Sequence, residues 1–169
     1  KNVQKLKIRV CIAIIANAIP YLPKRCNTFK EYSKKKSKDL KKLLFFSRIH
    51  EKKGVDYLLK SWSLCDTENW KLDIIGPGDP KYVDELSNLI LKFDIKKNVN
   101  LKPGYVSNKV KTKYFKTADA FILPTKSENF GIVVIEAMSF QLPVITTKEA
   151  PWEEISKFKC GWWVDANIK

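Results

Sequence analysis

Arginine is almost missing from this chain. Of 32 basic side chains only Arg9, Arg25 and Arg48 are arginines, and the rest are lysines. Proteins that read nucleic-acid bases rely on the bidentate arginine fork. A formal charge of +14, with 18 acidic residues, therefore does not by itself point to a base reader. It fits a phosphorylated ligand, an anionic membrane surface or simply a lysine-rich, solvated exterior. Histidine is scarcer still, with His50 alone, and the four cysteines (Cys11, Cys26, Cys65, Cys160) form no C-x-x-C pair. Zinc-like spacing is absent, and free thiols in a reducing compartment are expected. The chain has no G-x-G-x-x-G fingerprint, no Walker loop and no G-x-S-x-G elbow. It also lacks the Asp-x-Asp pair that would hold a metal–diphosphate complex. Long apolar runs are missing too. The longest, "VCIAIIANAI" (10–19), falls well short of the roughly 20 residues a bilayer-spanning helix needs, and it lacks the cleavage pattern of a signal peptide.

What is present suits one folded domain. The 169 residues are 44% hydrophobic and 12% aromatic, enough for a sizeable core. Lys1 in place of Met, and a final "DANIK" without a helix-ending signal, read as a piece of a longer protein. Residues 1–42 read as an interdomain segment and basic arm. "RVCIAIIANAIPYLP" (9–23) suggests a strand and a turn, and "KRCNTFKEYSKKKSKDLKK" (24–42) is polar with almost no apolar periodicity. Residues 43–169 are rhythmic. Short apolar runs predict strands over 43–47, 71–76, 99–103, 119–124, 143–147 and 161–165. Helical spacing predicts helices over 54–65, 82–93, 108–118, 130–140 and 150–158, the last opening at Pro151. Strands alternating with helices predict an α/β, Rossmann-like parallel sheet flanked by helices. Ligands of such sheets bind beyond the strands' carboxyl ends, so function is expected in the loops there.

The first such loop, "SRIHEKKG" (47–54), puts Arg48 and Lys53 five residues apart. A planar fork and a flexible point charge suit a diphosphate, although loop cations are commonly just solvated. His50 between them takes no catalytic role in this reading. "GPGDP" (76–80) is a tight turn, and "KPGYVS" (102–107) offers a backbone edge beside Tyr105 and Val106 for a flat base. "PTKSENFG" (124–131) leads into an apolar run. Ser127 or Asn129 is expected to cap the following helix, whose first N–H groups, near Phe130, Gly131 and Ile132, make an anion site. Glu128 faces the same space, either for a ligand or as a favourable charge at a helix N-terminus. Glu136, separated from Glu128 by seven residues and set among "IVVI" and "AM", needs a partner, because an unpaired buried charge is costly. Ribose hydroxyls would serve, since they donate to carboxylates; so would a lysine at a rim.

Four stretches together resemble the C-terminal domain of retaining glycosyltransferases with two facing Rossmann-like domains, the GT-B type of the glycosyl transferases group 1 family. They are "FFSRIHEKKGVDYLL", "LDIIGPGD", "ADAFILPTKSENFGIVVIEAMSFQLPVITT" and "PWEEISKFKCGWWVD", running from about Leu43 to Asp165. The third, with its glycine and two glutamates in register, is the most specific. Ser47 departs from the pattern, standing where a glycine commonly precedes the arginine. The resemblance implies that residues 43–169 bind a nucleotide-sugar donor. Arg48 and Lys53 would hold the distal phosphate and stabilise the leaving nucleoside diphosphate with no metal or other cofactor. Glu128 would hold the transferred sugar and Glu136 the ribose. The backbone of Asn129, Phe130 and Gly131 would contact sugar or phosphate, and Val106 would lie beside the base. It further implies a saccharide or lipid-linked acceptor, a partner N-terminal domain of the same protein, a role in cell-surface polysaccharide synthesis, and a cytoplasmic place, with peripheral contact at the inner face of the membrane and no nucleic-acid partner. Two other classes remain open on the residues alone. One is a nucleotide-binding regulatory domain without catalysis, which need not keep Glu128; the other is a lysine-rich nucleic-acid module, with a steep salt slope.

Overall fold

The computed structural model describes residues 40–166. The expected strand and turn over 9–23 and most of the basic arm lie outside the described residues. Six strands form one sheet: β1 (Lys41–Phe46), β2 (Trp70–Gly76), β3 (Val99–Pro103), β4 (Ala120–Leu123), β5 (Val144–Thr147) and β6 (Gly161–Val164). Five helices alternate with them: α1 (Val55–Leu64), α2 (Pro80–Lys92), α3 (Asn108–Thr117), α4 (Ile132–Ser139) and the single turn α5 (Glu154–Lys157). The sheet order is β3-β2-β1-β4-β5-β6, and every pairing is parallel. The expected α/β parallel sheet is therefore the observed one. β1 takes in Lys41 and Lys42, which the sequence pattern assigned to the basic arm; Lys41 pairs with Trp70 of β2.

The chain runs outward from β1 to β3, returns to β4 and runs outward again to β6. With the right-handed crossovers that parallel sheets take, α1 and α2, which pack on each other, share one face of the sheet and the later helices the other. Strand order reverses between β1 and β4, the switch point where a crevice opens at the carboxyl edge.

Burial drives each element. β1 hides Leu43, Leu44 and Phe45. α1 buries Val55, Leu58, Leu59 and Trp62 on one face, and α2 buries Tyr82, Leu86 and Ile90. α2 begins cleanly because Pro80 sits in its first turn and the Asp79 side chain accepts from the Lys81 and Tyr82 backbone N–H groups. Ser107 caps α3 by accepting from Val110 N. Phe115 of α3 packs on Phe46, Phe121 and Phe140, which seats α3 beside the carboxyl end of β1.

The helix expected over 150–158 is present only as the single turn Glu154–Lys157 and does not open at Pro151. Ala150 N donates to the Thr147 carbonyl and Trp152 N to that of Ala150, so tight turns occupy residues 147–152 and only Glu154–Lys157 is helical. Those turns carry Trp152 towards α4.

Candidate active site: a crevice between β1 and β4

After β1 the chain extends through Ser47 and Arg48 to Ile49, whose N–H donates to the Pro77 carbonyl and which forms a parallel bridge with Gly78. The glycine turn after β2 thereby braces the Arg48 loop. Ser47 is not among the residues with positive φ, so a side chain at this position brings no backbone strain. His50 then starts a short 3-10 turn, Glu51–Lys53, by accepting from Lys52 N through Nδ1. That bond fixes the start of the turn. The turn ends on Gly54 at φ 68°. A Cβ there would lie 2.0 Å from the Pro124 carbonyl oxygen, so only glycine lets the β1 loop close against the end of β4.

Two contacts to one backbone carbonyl lock that closure. Lys126 N donates to the Lys52 carbonyl, and the buried Thr125 hydroxyl lies 3.0 Å from the same oxygen. Thr147, at the end of β5, donates in turn to the Thr125 carbonyl. Lys53 and Glu128 are thus presented to each other by paired loops, and they form an ion pair between Nζ and Oε2. Both side chains are mostly buried, 12% and 14% exposed.

A cleft of about 250 Å3 opens here, lined by Arg48, His50, Lys52, Lys53, Ser127, Glu128 and Asn129. Three cationic side chains face one carboxylate, a balance that suits an anion. The Asn129 N–H turns onto its neighbour's Glu128 Oε1. Neither Ser127 nor Asn129 caps α4. The N-cap is Gly131, left-handed at φ 72°, with no side-chain capping bond. The expected cap is corrected for a local reason: Ser127 is held by the Thr125 hydroxyl, too early in the loop to reach the helix. No side chain therefore caps the first turn of α4, and of its N–H groups Val134 N donates to the Gly131 carbonyl.

Phe130 is fixed by Trp152, whose Nε1 donates to the Phe130 carbonyl while the two rings meet at 5.4 Å between centroids. Trp152 was not among the expected site residues. Only "PW" after a strand hinted at it, and its reach across 22 positions leaves no periodic signal.

Glu136 and Val106 do not line this cleft. Glu136 is bonded to Lys111 of α3, 2.5 Å from Nζ to Oε1. Its apolar setting is thus relieved by a lysine, as one of the two alternatives held. The pair nevertheless lies at the carboxyl edge, because the Lys111 ammonium stands 5.5 Å from the ring of Phe46, the last residue of β1. Val106 is half-buried against the core, whereas its neighbour Tyr105 is 92% exposed. Among the described residues no cluster of metal-ligating side chains occurs, and no helix is long and apolar enough to cross a membrane.

A parallel sheet with a cationic, glutamate-bearing crevice at its switch point is a doubly wound domain whose ligands bind beyond the strands' carboxyl ends. The family described as glycosyl transferases group 1 matches residues 27–169, and the chain belongs to it. It is 34% identical to an uncharacterised glycosyltransferase of Methanocaldococcus jannaschii over 75% of this chain and 32% of that protein. The chain thus spans about a third of the length of the curated relatives it matches. Among solved structures it resembles WaaG, a glycosyltransferase involved in lipopolysaccharide biosynthesis, with a TM-score of 0.67 and 24% identity over 85% of this chain and 39% of WaaG. It also resembles Anabaena HepE in complex with UDP and glucose, with a TM-score of 0.60 and 22% identity over 69% of this chain and 31% of HepE. At these identities the structures speak for the GT-B fold.

Proposed function

We propose that this chain is the donor-binding domain of a retaining glycosyltransferase that moves a sugar from a nucleoside diphosphate to a saccharide or lipid-linked acceptor in cell-surface polysaccharide synthesis. The observation that carries the reading is the β1–β4 crevice, where Arg48, Lys53 and Glu128 meet. As the bond between the sugar C1 and the distal phosphate oxygen breaks, negative charge grows on that phosphate. Arg48 and Lys53 stabilise it, the task a divalent metal performs in other transferases. The open first turn of α4, at Phe130 and Gly131, adds backbone donors. Glu128 holds sugar hydroxyls, Glu136 accepts from the ribose, and Val106 flanks the base. The UDP and glucose bound by HepE, and the lipopolysaccharide role of WaaG, support the donor and product classes.

The acceptor and the opposite wall of the crevice belong to an N-terminal domain of the complete polypeptide. A groove of about 630 Å3 carrying Lys42, Lys71, Lys96, Lys97, Lys102 and Lys113 supports peripheral contact with an anionic inner membrane face. The test uses the complete polypeptide with labelled UDP- and GDP-sugars and a panel of saccharide and lipid acceptors, with and without a chelator. NMR of the product reads its anomeric configuration. Transfer with retention, undiminished by chelator, is expected. An inverted product, or activity that disappears with the metal, contradicts the proposal.

A further inference from the structure

The inward stripe of α3 runs Lys111, Phe115, Ala118, at helical i, i+4, i+7 spacing. Phe115 and Ala118 are buried, and the pattern calls for an apolar side chain at position 111 as well. A lysine stands there instead. Lysines in such places normally carry their ammonium outward to water, but this one turns inward. Its Nζ lies 5.5 Å from the Phe46 ring centroid and 5.9 Å from that of Phe115, within cation–π range. It bonds Glu136 Oε1 at 2.5 Å. The two side chains are 28% and 17% exposed. Holding a long side chain this way costs rotamer freedom, and a carboxylate in an apolar helix costs desolvation. A pair kept at both costs, on the edge of a ligand crevice, calls for a reason beyond stability.

The geometry of the pair supplies one. A carboxylate has two oxygens and about four acceptor positions. Lys111 occupies Oε1 and leaves Oε2 without a hydrogen-bond partner among the described residues. The ammonium also cancels the charge of Glu136, so that the carboxylate can sit near a diphosphate without repelling it.

We propose that Lys111 is a positioning and specificity residue. By clamping one oxygen of Glu136 it presents the other to the vicinal hydroxyls of a bound ribose, and it sets the preference of the crevice for ribonucleotides. This rests on the reading of the crevice as a nucleotide site.

Titration calorimetry on the 169-residue chain tests it, using UDP and GDP against their 2′,3′-dideoxy counterparts. Wild type should favour the ribonucleotide by about tenfold or more, the scale of a charged hydrogen bond. Lys111→Met keeps an unbranched side chain of similar length that can pack beside the Phe46 and Phe115 rings but removes the ammonium and with it the clamp. The preference should then fall to about twofold, through weaker ribonucleotide binding with dideoxy binding nearly unchanged. Lys111→Arg, which still donates to Oε1, should retain the preference. If Lys111→Met does not fold, Lys111→Gln is read in its place, with a reduced preference expected. A methionine variant with the wild-type ratio overturns the inference, as does an equal loss for both ligands, which marks a purely structural lysine. A wild-type chain that binds neither UDP nor GDP, or does not discriminate, overturns the nucleotide reading itself, and this outcome is visible before any variant is made.

Discussion

At the residue scale, the Lys53–Glu128 ion pair joins the two loops of the crevice. On the proposed function, Glu128 neutralises one of the cations that would otherwise meet a diphosphate, so its charge would have opposite effects on the two parts of a donor. Glu128→Gln should leave UDP binding intact or tighten it, because Lys53 is then released to the phosphates. It should also erase any preference for UDP-glucose over UDP. Calorimetry with both ligands checks this, and a clear loss of UDP affinity would assign Glu128 to the phosphates rather than the sugar. The two residues were legible as candidates because each stands in a short loop tied to a strand end, and local spacing fixes such places. The Glu136 partner was not legible by name. Lys111 lies 25 positions away on a different helix and reaches Glu136 only once Phe115 has docked α3 against Phe46. Trp152 escaped for the same reason: tertiary contact, not sequence period, directs its indole to Phe130.

At the scale of elements, two glycines bear unequal loads. Gly54 and Gly131 are both left-handed, at φ 68° and 72°. A Cβ on Gly54 meets the backbone oxygen of Pro124 at 2.0 Å, whereas one on Gly131 meets the flexible Glu128 Cγ at 3.2 Å. Gly54→Ala should therefore cost the top of the roughly 1–3 kcal/mol range for strained backbone, or more, and Gly131→Ala the bottom of it. Urea denaturation ranks the two, and equal costs would show that the β1 loop does not need its close approach to β4. The contact between α1 and α2 contributes a pH dependence. The Tyr82 hydroxyl reaches Asp56 Oδ1 at 3.3 Å, and burial first, then the Asp56 charge, raise its pKa above the ordinary tyrosine value. A raised folded-state pKa means that this stabilisation is complete below about pH 10, the unfolded tyrosine value, and is lost as pH rises beyond it. Tyr82→Phe should flatten the alkaline fall in melting temperature relative to wild type. An unchanged slope would exclude Tyr82 as a source. Most elements follow from alternating and helical periods, which is why their order and type were legible. The cap of α4 and the short α5 were not, because side-chain and backbone bonds from neighbouring loops override the local preferences of Ser127 and Pro151.

At the scale of the whole molecule, strand order places the carboxyl ends of β1 and β4 side by side, and this turns two unremarkable loops into one crevice. Sequence pattern predicts a parallel sheet but not its order; the switch point needs the pairings. Transfer requires donor and acceptor to be held together, and that positioning supplies much of the rate. One wall of a crevice leaves a bound sugar open to water. The 169-residue chain should therefore bind nucleotide but transfer no sugar to any acceptor in the panel used for the complete polypeptide. Robust turnover by the short chain would show that no second wall is required.

The most direct test of the central claim, that the β1–β4 crevice holds a nucleoside diphosphate through its phosphates, is titration calorimetry of wild type and Lys53→Ala with UDP, GDP and the corresponding nucleosides. Wild type should bind at least one diphosphate at micromolar to millimolar strength, about 4–8 kcal/mol. Lys53→Ala should lose about 1.5–3 kcal/mol of it, the range for hydrogen bonds to charged groups, with nucleoside binding little changed. Equal losses for nucleoside and diphosphate, or no diphosphate binding by wild type, would contradict the account.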